Sequence, residues 1–131
     1  TVPVRPLGLV DAAIKRLQET GADSLFTGER LHFVWRRVAR SNHAGALVPG
    51  PLVQINCKGA RPMRQEIAWA DHRFREDGAV FVSRAKLLAE TRCRLGGRIE
   101  VLENARTVDI DTEADLQIAG SLLTGCGTVA T

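Results

Sequence analysis

Apolar and polar positions along the chain follow two patterns, one with the spacing of a helix and one typical of strands. Residues 7–20 repeat apolar side chains at helical spacing, and Gly21 follows directly, which predicts an amphipathic helix over 7–20. The apolar stripe of this helix comprises Leu9, Val10, Ala13, Ile14 and Leu17. Residues 24–27 then have the composition of a short strand, and the order helix, turn, strand indicates an α/β layer.

The next pattern is that of a hairpin. Two apolar stretches, 31–40 and 46–56, flank the polar turn 41–45, and prolines interrupt the second stretch. The pattern predicts an arm over 31–56 that projects from a sheet. Residues 57–77 are polar, rich in arginine and without a clear period, and we interpret them as an ordered loop that lines a site.

The last third returns to alternating strands and helices. Residues 78–82 are predicted to form a buried strand, 84–90 a short helix, and 98–102 a second strand. A final helix is expected to begin after Asp111 and end at Gly125. Its inward positions are predicted to be Leu116, Ala119, Leu122 and Leu123. The whole pattern favours an α/β fold in which residues 1–131 form a single unit.

Composition narrows the class of protein. The 131 residues are 44% hydrophobic, enough for one core, and no apolar run approaches the about 20 residues that cross a bilayer. No secretory leader opens the chain, so we expect a cytoplasmic protein that does not bind membranes. Cys57, Cys93 and Cys126 have no metal-ligand spacing and are predicted to be reduced thiols.

Charge is unevenly distributed. Residues 30–98 hold 14 Lys and Arg against 5 acids, whereas residues 99–131 hold one Arg against 6 acids. Fifteen of the 18 cationic residues are arginine, which favours forked recognition of carboxylate or phosphate. Nucleic acid is not the predicted partner, because the chain has no Tyr, only 5% aromatic residues and no nucleic-acid motif.

Candidate chemistry concentrates in residues 108–115. Asp109 and Asp111 end an apolar run, and residues two apart in a strand point to the same side. At the carboxyl end of a strand the two carboxylates would face one crevice and suit Mg²⁺ and a phosphate-bearing substrate. The alternative, favoured by the local pattern alone, is an Asp-rich turn in which Asp111 is the N-cap of the last helix.

Three segments, in this order, resemble the acylneuraminate (CMP-sialic acid) cytidylyltransferases. Residues 1–6, Thr-Val-Pro-Val-Arg-Pro, are similar to the family's Thr-Ser-Pro-Leu-Arg turn. Residues 64–66 and 74–81 are similar to its Arg-Gln-Asp loop and Glu-Asn-Gly-Ala-Ile-Tyr strand. Residues 108–116, Val-Asp-Ile-Asp-Thr-Glu-Ala-Asp-Leu, are similar to its Ser-Val-Asp-Ile-Asp-Thr-Glu-x-Asp-Leu and are the most specific match.

The resemblance implies a fold and a reaction. The fold would be part of a nucleotide-diphospho-sugar-transferase-like, Rossmann-like sheet with helices, and residues 31–56 would be a dimerisation arm in a homodimer. Phe33 and Trp35 are the candidate anchors of that arm, or else part of an intramolecular core. The reaction would be cytidylyl transfer from CTP to a sialic-acid-like acidic sugar, with Mg²⁺ held by Asp109 and Asp111.

The resemblance also implies substrate contacts. Arg64 and Gln65 would contact the acidic sugar, Arg75 would face sugar or phosphate, and Phe81 and Arg5 would complete the substrate-binding set. A solvated arginine and a surface amide are the alternative roles for Arg64 and Gln65. Where the family has Asn-Gly and Tyr, this sequence has Asp-Gly and Phe, so two polar groups that could bond sugar or nucleotide differ.

The matched segments correspond to the carboxyl-terminal half of such an enzyme. The Gly-rich, basic loop that holds the nucleotide in the family has no counterpart here, and Arg-Leu-Gly-Gly-Arg at 94–98 has neither its spacing nor a following helix. We therefore expect the chain to be inactive without a nucleotide-binding half. The alternative function is a stand-alone, non-catalytic binding or assembly module that retains the fold.

Overall fold

The computed structural model describes residues 2–56, 62–104 and 107–125 and divides the chain into two compact units. The first unit comprises residues 1–29 and 75–131, and the second comprises residues 30–74. The described residues form a mixed α/β fold with three α-helices and two small sheets, which confirms the predicted class at that level.

Helix α1, Leu9–Thr20, covers the sheet of the first unit. It ends at Gly21, whose φ of 66° is left-handed and whose N–H bonds to the Gln18 carbonyl. The predicted helix is confirmed, but only part of its apolar stripe is buried. Leu9, Ala13 and Leu17 face the core, whereas Val10 and Ile14 are exposed.

The sheet of the first unit has three strands in the order β4-β1-β5. Strand β1 is Ser24–Leu31 and pairs in parallel with β5, Ile99–Glu103, with Ser24 opposite Ile99 and Gly28 opposite Glu103. The core between sheet and helix consists of Val2, Leu9, Ala13, Leu17, Leu25, Ala79 and Val80. Burial of these apolar side chains is what attaches α1 to the strands.

Strand β4, Arg73–Ser83, is longer than its sequence indicates. The sequence predicts a strand over 78–82 and a loop over 57–77, and the loop prediction is wrong for residues 73–77. The described part of the loop before β4 contains two short 3₁₀ helices, Arg64–Glu66 and Trp69–Asp71.

The second unit is built on a hairpin. Strands β2, Trp35–Ser41, and β3, Leu47–Gln54, pair antiparallel, which confirms the predicted hairpin. The Asn42 side chain closes the turn by accepting bonds from two backbone N–H groups. A register shift between Arg37 and Ala39 accommodates the proline-containing strand.

Two further helices complete the first unit. Helix α2 is Ala85–Thr91 and α3 is Glu113–Gly125, both close to their predicted limits. The predicted inward face of α3 is wrong except at Ala119, which is 1% exposed. Leu116, Leu122 and Leu123 are all exposed, because no described element packs against that side of α3.

The prediction of reduced cysteines falls partly outside the described residues. Cys57 and Cys126 lie there, while Cys93 is an exposed free thiol as expected. None of the described helices has the length and apolar character needed to cross a bilayer.

Candidate functional site

A cleft of about 460 Å³ opens in the first unit, where β1 and β5 end. Because these strands are parallel, their carboxyl ends meet at one edge of the sheet, the place where ligands bind in open α/β folds. The residues that line the cleft are Glu29, Arg75, Glu76, Asp77, Thr107, Val108, Asp109, Asp111, Asp115 and Ile118. Among the described residues, six carboxylates and one guanidinium therefore line this space.

Asp109 and Asp111 both line this cleft, as the hypothesis of a shared crevice requires. They do not lie within a strand, because β5 ends at Glu103 and residues 107–110 belong to no strand or helix. Alternation along a strand is therefore not the reason that the two side chains line one cleft. The path of the chain from residue 107 into α3 places both of them there.

Asp109 is the less solvated of the two aspartates. Its Oδ1 atom is buried and has no hydrogen-bond partner among the described residues. A buried carboxylate oxygen without a donor is unfavourable, and a bound cation would satisfy it. This oxygen is the feature of the cleft that fits a metal ion best.

The start of α3 is capped by Thr112 and not by Asp111. The Thr112 hydroxyl accepts a bond from the Asp115 N–H at 3.3 Å, and the Asp115 Oδ2 accepts from the Thr112 N–H at 2.9 Å. This reciprocal pair is a capping box. The prediction of Asp111 as N-cap is therefore wrong, because Thr112 is the N-cap residue. The Asp111 carboxylate is exposed.

The same capping bonds act on Asp115. Donation from the Thr112 hydroxyl, at 2.7 Å, and then from the Thr112 and Asp111 N–H groups lowers the pKa of the Asp115 carboxyl below its ordinary value of 3.8. Asp115 is thus held as an anion at the rim of the cleft, beside Asp111.

Within residues 2–56, 62–104 and 107–125, Arg75 is the cationic side chain that lines the cleft. Its Nη2 atom lies 2.7 Å from Glu29 Oε2, in an ion pair whose arginine side chain is 68% exposed. The pair is solvated and weak, so the guanidinium can exchange Glu29 for an incoming anion at small cost. The geometry is compatible with the predicted contact to phosphate or sugar.

The other predicted substrate contacts do not line the cleft. Phe81 packs beneath Arg94, whose guanidinium carbon lies 4.0 Å from the ring centroid. Arg5 is exposed before α1. Arg64 and Gln65 are exposed in the second unit, within the first 3₁₀ helix, and their role toward an acidic sugar stays a prediction.

Asp77 is a residue of the cleft whose role the sequence did not reveal. Its Oδ1 accepts bonds from Thr27 Oγ1 at 2.6 Å and from the Ala79 N–H at 2.9 Å. Its Oδ2 accepts a bond from Asn104 Nδ2 at 2.8 Å. The Asp-Gly dipeptide at this position is a turn signal, but the two side-chain donors are distant in sequence, so no local pattern could have identified them.

The described residues contain no group of three or more His, Cys, Asp or Glu side chains arranged to hold an ion. Two aspartates would suffice only for a metal that takes its other ligands from water and substrate. Mg²⁺ behaves in this way, since it is commonly bound by one or two carboxylates together with substrate phosphates. The donor set therefore fits magnesium with a triphosphate better than magnesium alone.

Comparisons with protein-family models, with curated proteins and with solved structures gave no significant match for this chain.

Proposed function

We propose that the first unit carries the magnesium-binding edge of a CMP-sugar synthetase, which transfers a cytidylyl group from CTP to a sialic-acid-like acidic sugar. The observation that carries the proposal is that Asp109 and Asp111 line one cleft where the parallel strands end. The unpartnered Oδ1 atom of Asp109 supports a cation at that place.

The charge of the cleft determines the order of binding in this proposal. The described residues that line it carry six carboxylates and one arginine, so a bare triphosphate would be repelled by them. A magnesium ion on Asp109 and Asp111 would neutralise negative charge at the α-phosphate and the leaving pyrophosphate. Arg75 supplies positive charge from the protein, and it would contact a phosphate or the sugar acid through its guanidinium. The phosphates of CTP are therefore expected to enter the cleft only together with the metal, and turnover would still require the nucleotide-binding half that the resemblance implies.

The finer fold assignment belongs to the same proposal. The parallel pair of β1 and β5, with α1 packed on the sheet, supports a Rossmann-like arrangement. The hairpin of the second unit supports a homodimer arm, because Trp35 is 55% exposed, and Leu47 and Leu52 of β3 are exposed as well. In such a dimer Arg64 and Gln65 would contact the sugar.

The experiment is a calorimetric titration of the chain with Mg²⁺, with CTP, and with both. We expect heat of binding for CTP only when Mg²⁺ is present. Asp109→Asn and Asp111→Asn should each weaken this binding more than about tenfold, since even outer-shell partners of a metal cost that much. Asp11→Asn, an equal loss of charge at an exposed position of α1, is the matched control and should leave the isotherm unchanged.

An isotherm that stays the same in both cleft variants would remove the metal assignment. Binding of a ligand without any dependence on Asp109, Asp111 or Mg²⁺ would instead favour the non-catalytic module. The size of the effect separates the two aspartates. Asp109→Asn should have the larger effect, because its oxygen is buried and Asp111 is exposed to water.

A further inference from the structure

The Asp77 side chain connects all three strands of the first unit's sheet. Asp77 lies in β4, its Thr27 partner in β1 is fully buried, and its Asn104 partner directly follows β5. The Asn104 N–H also bonds to the Gly28 carbonyl of β1 at 3.1 Å. The carboxylate of Asp77 is therefore fixed at the edge of the sheet from which the cleft opens.

Gly78, the next residue, lies directly against Asp109. Its φ is 73°, and a Cβ built on it would be 2.6 Å from Asp109 Oδ2 and 3.3 Å from Asp109 Cγ. No side chain could occupy that space without moving the carboxylate. The Asp109 carboxylate thus lies this close to the backbone because Gly78 has no side chain. The hydrogen bonds of the preceding residue, Asp77, fix the backbone at this point.

Asp109 has few constraints of its own. Its buried Oδ1 has no hydrogen-bond partner among the described residues, and residues 107–110 lie outside any helix or strand. The Thr107 hydroxyl makes one long bond, of 3.5 Å, to the Asp77 carbonyl. The known supports of this segment therefore lead back to Asp77 and Gly78.

We infer that Asp77 and Gly78 are positioning residues that hold the Asp109 carboxylate at its place in the cleft. The identity of what that carboxylate binds rests on the proposed function, whereas its position does not. Asp77 acts through hydrogen bonds and Gly78 through the space it leaves. A ligand-binding aspartate held by an outer set of bonds is a common arrangement at metal sites.

Direct binding of a metal by Asp77 is the competing role. Both of its oxygens already accept bonds from protein donors, so its lone pairs are largely used. The two roles respond differently to an exchange of partners. The double variant Asp77→Asn/Asn104→Asp reverses the bond, so that an amide at 77 donates to a carboxylate at 104, and it restores positioning but not a ligand at 77.

The test measures the carboxyl carbon NMR signal of Asp109 in the metal-free 131-residue chain labelled at its aspartates. The signal is assigned by its loss in Asp109→Asn, and Asp11 on α1 serves as the internal reference. We expect Gly78→Ala and Asp77→Asn to move the Asp109 signal more than that of Asp11. Asn104→Ala, which removes a donor but leaves the Asp77 charge in place, should move it as well.

Restoration of the signal in the reversed pair is the decisive result. An Asp109 signal that is unchanged in folded single variants, or that stays displaced in the reversed pair, would overturn the inference. The Asp77→Asn series preserves side-chain size, so it decides the matter even where Gly78→Ala does not fold.

Addition of Mg²⁺ and CTP to the wild-type chain then tests the proposed function separately. A response of the Asp109 signal supports it, and affinity should fall about 10- to 100-fold in Gly78→Ala. No response in the wild type, combined with the displacement and restoration described above, would reject the metal and keep the positioning role.

Discussion

The two walls of the cleft differ in how their polar groups are satisfied. On the sheet side, each oxygen of Asp77 accepts a hydrogen bond, from Thr27 and Ala79 on one side and from Asn104 on the other. On the side of residues 107–115, a buried oxygen of Asp109 has no partner among the described residues. The sheet side is therefore satisfied by hydrogen bonds within the protein, whereas the side of residues 107–115 presents an unpartnered acceptor.

This difference predicts that stability and binding can be separated by mutation. Substitutions beneath the sheet wall should lower the free energy of unfolding, because core contacts and hydrogen bonds are lost there. Substitutions of Asp109 and Asp111 should lower ligand affinity and change stability little, because the Asp109 Oδ1 has no partner among the described residues and Asp111 is exposed.

The largest effect is expected from Leu25→Ala, in β1 beneath the sheet wall. Leu25 is 0% exposed and belongs to the core that packs α1 onto the strands, so its truncation should lower the free energy of unfolding by about 2–5 kcal/mol. Leu123→Ala on α3, where the side chain is 56% exposed, is the matched control and should cost less than about 0.5 kcal/mol. Urea denaturation followed by circular dichroism measures both.

An equal loss of unfolding free energy in Leu25→Ala and Leu123→Ala would contradict this expectation. It would mean that the apolar side of α3, exposed in this structure, is covered in solution. Repeating the Leu123→Ala measurement over a range of protein concentrations would then show whether a second copy provides the cover, since stability that depends on association changes with concentration.

A smaller effect is expected from Thr27→Val, which replaces the buried hydroxyl with a methyl group of similar size. The Asp77 Oδ1 loses its closest donor, and the Val80 N–H loses its acceptor at 2.9 Å. Leaving such groups without partners should cost about 1–3 kcal/mol in urea denaturation. Thr124→Val removes an exposed hydroxyl that bonds only to carbonyls of α3 and should have almost no effect.

The sequence could predict some parts of the molecule and not others. Periodicity located α1 and α3 because it reports which residues share a helix face. It could not report whether a neighbour covers that face, so Leu116 was predicted to be buried and is exposed. Periodicity did not predict the first half of β4, because Arg75 and Glu76 are polar. Both of these side chains line the cleft.

The residues of the cleft also differ in whether the sequence alone could identify them. Asp109 and Asp111 were identified from a local motif, and both line the cleft. Asp77 received no positioning role, because its side-chain partners Thr27 and Asn104 lie 50 and 27 residues away in the chain. Contacts of that separation are set by strand pairing, which a single sequence does not specify.

The smallest effect concerns the capping box at the start of α3, on the side of the cleft formed by residues 107–115. Because the hydrogen bonds from Thr112 lower the pKa of Asp115 in the folded state, the carboxylate stabilises the protein above its unfolded-state pKa. That contribution is lost as the pH falls through the lower, folded-state pKa. Wild type should therefore lose stability in part through this group as the pH falls below the unfolded-state pKa and through the lower folded-state pKa.

Asp115→Asn removes the charge and with it this part of the pH dependence. The stability difference between wild type and variant should be largest near neutral pH and should narrow as the solution is acidified. Thr112→Ala, which removes the hydroxyl of the cap, should cost about 1 kcal/mol at neutral pH and weaken the same dependence. Urea denaturation at a series of pH values gives both results. A stability difference between wild type and Asp115→Asn that does not change with pH would show that the cap is not formed in solution. The side of the cleft formed by residues 107–115 would then lack this constraint as well.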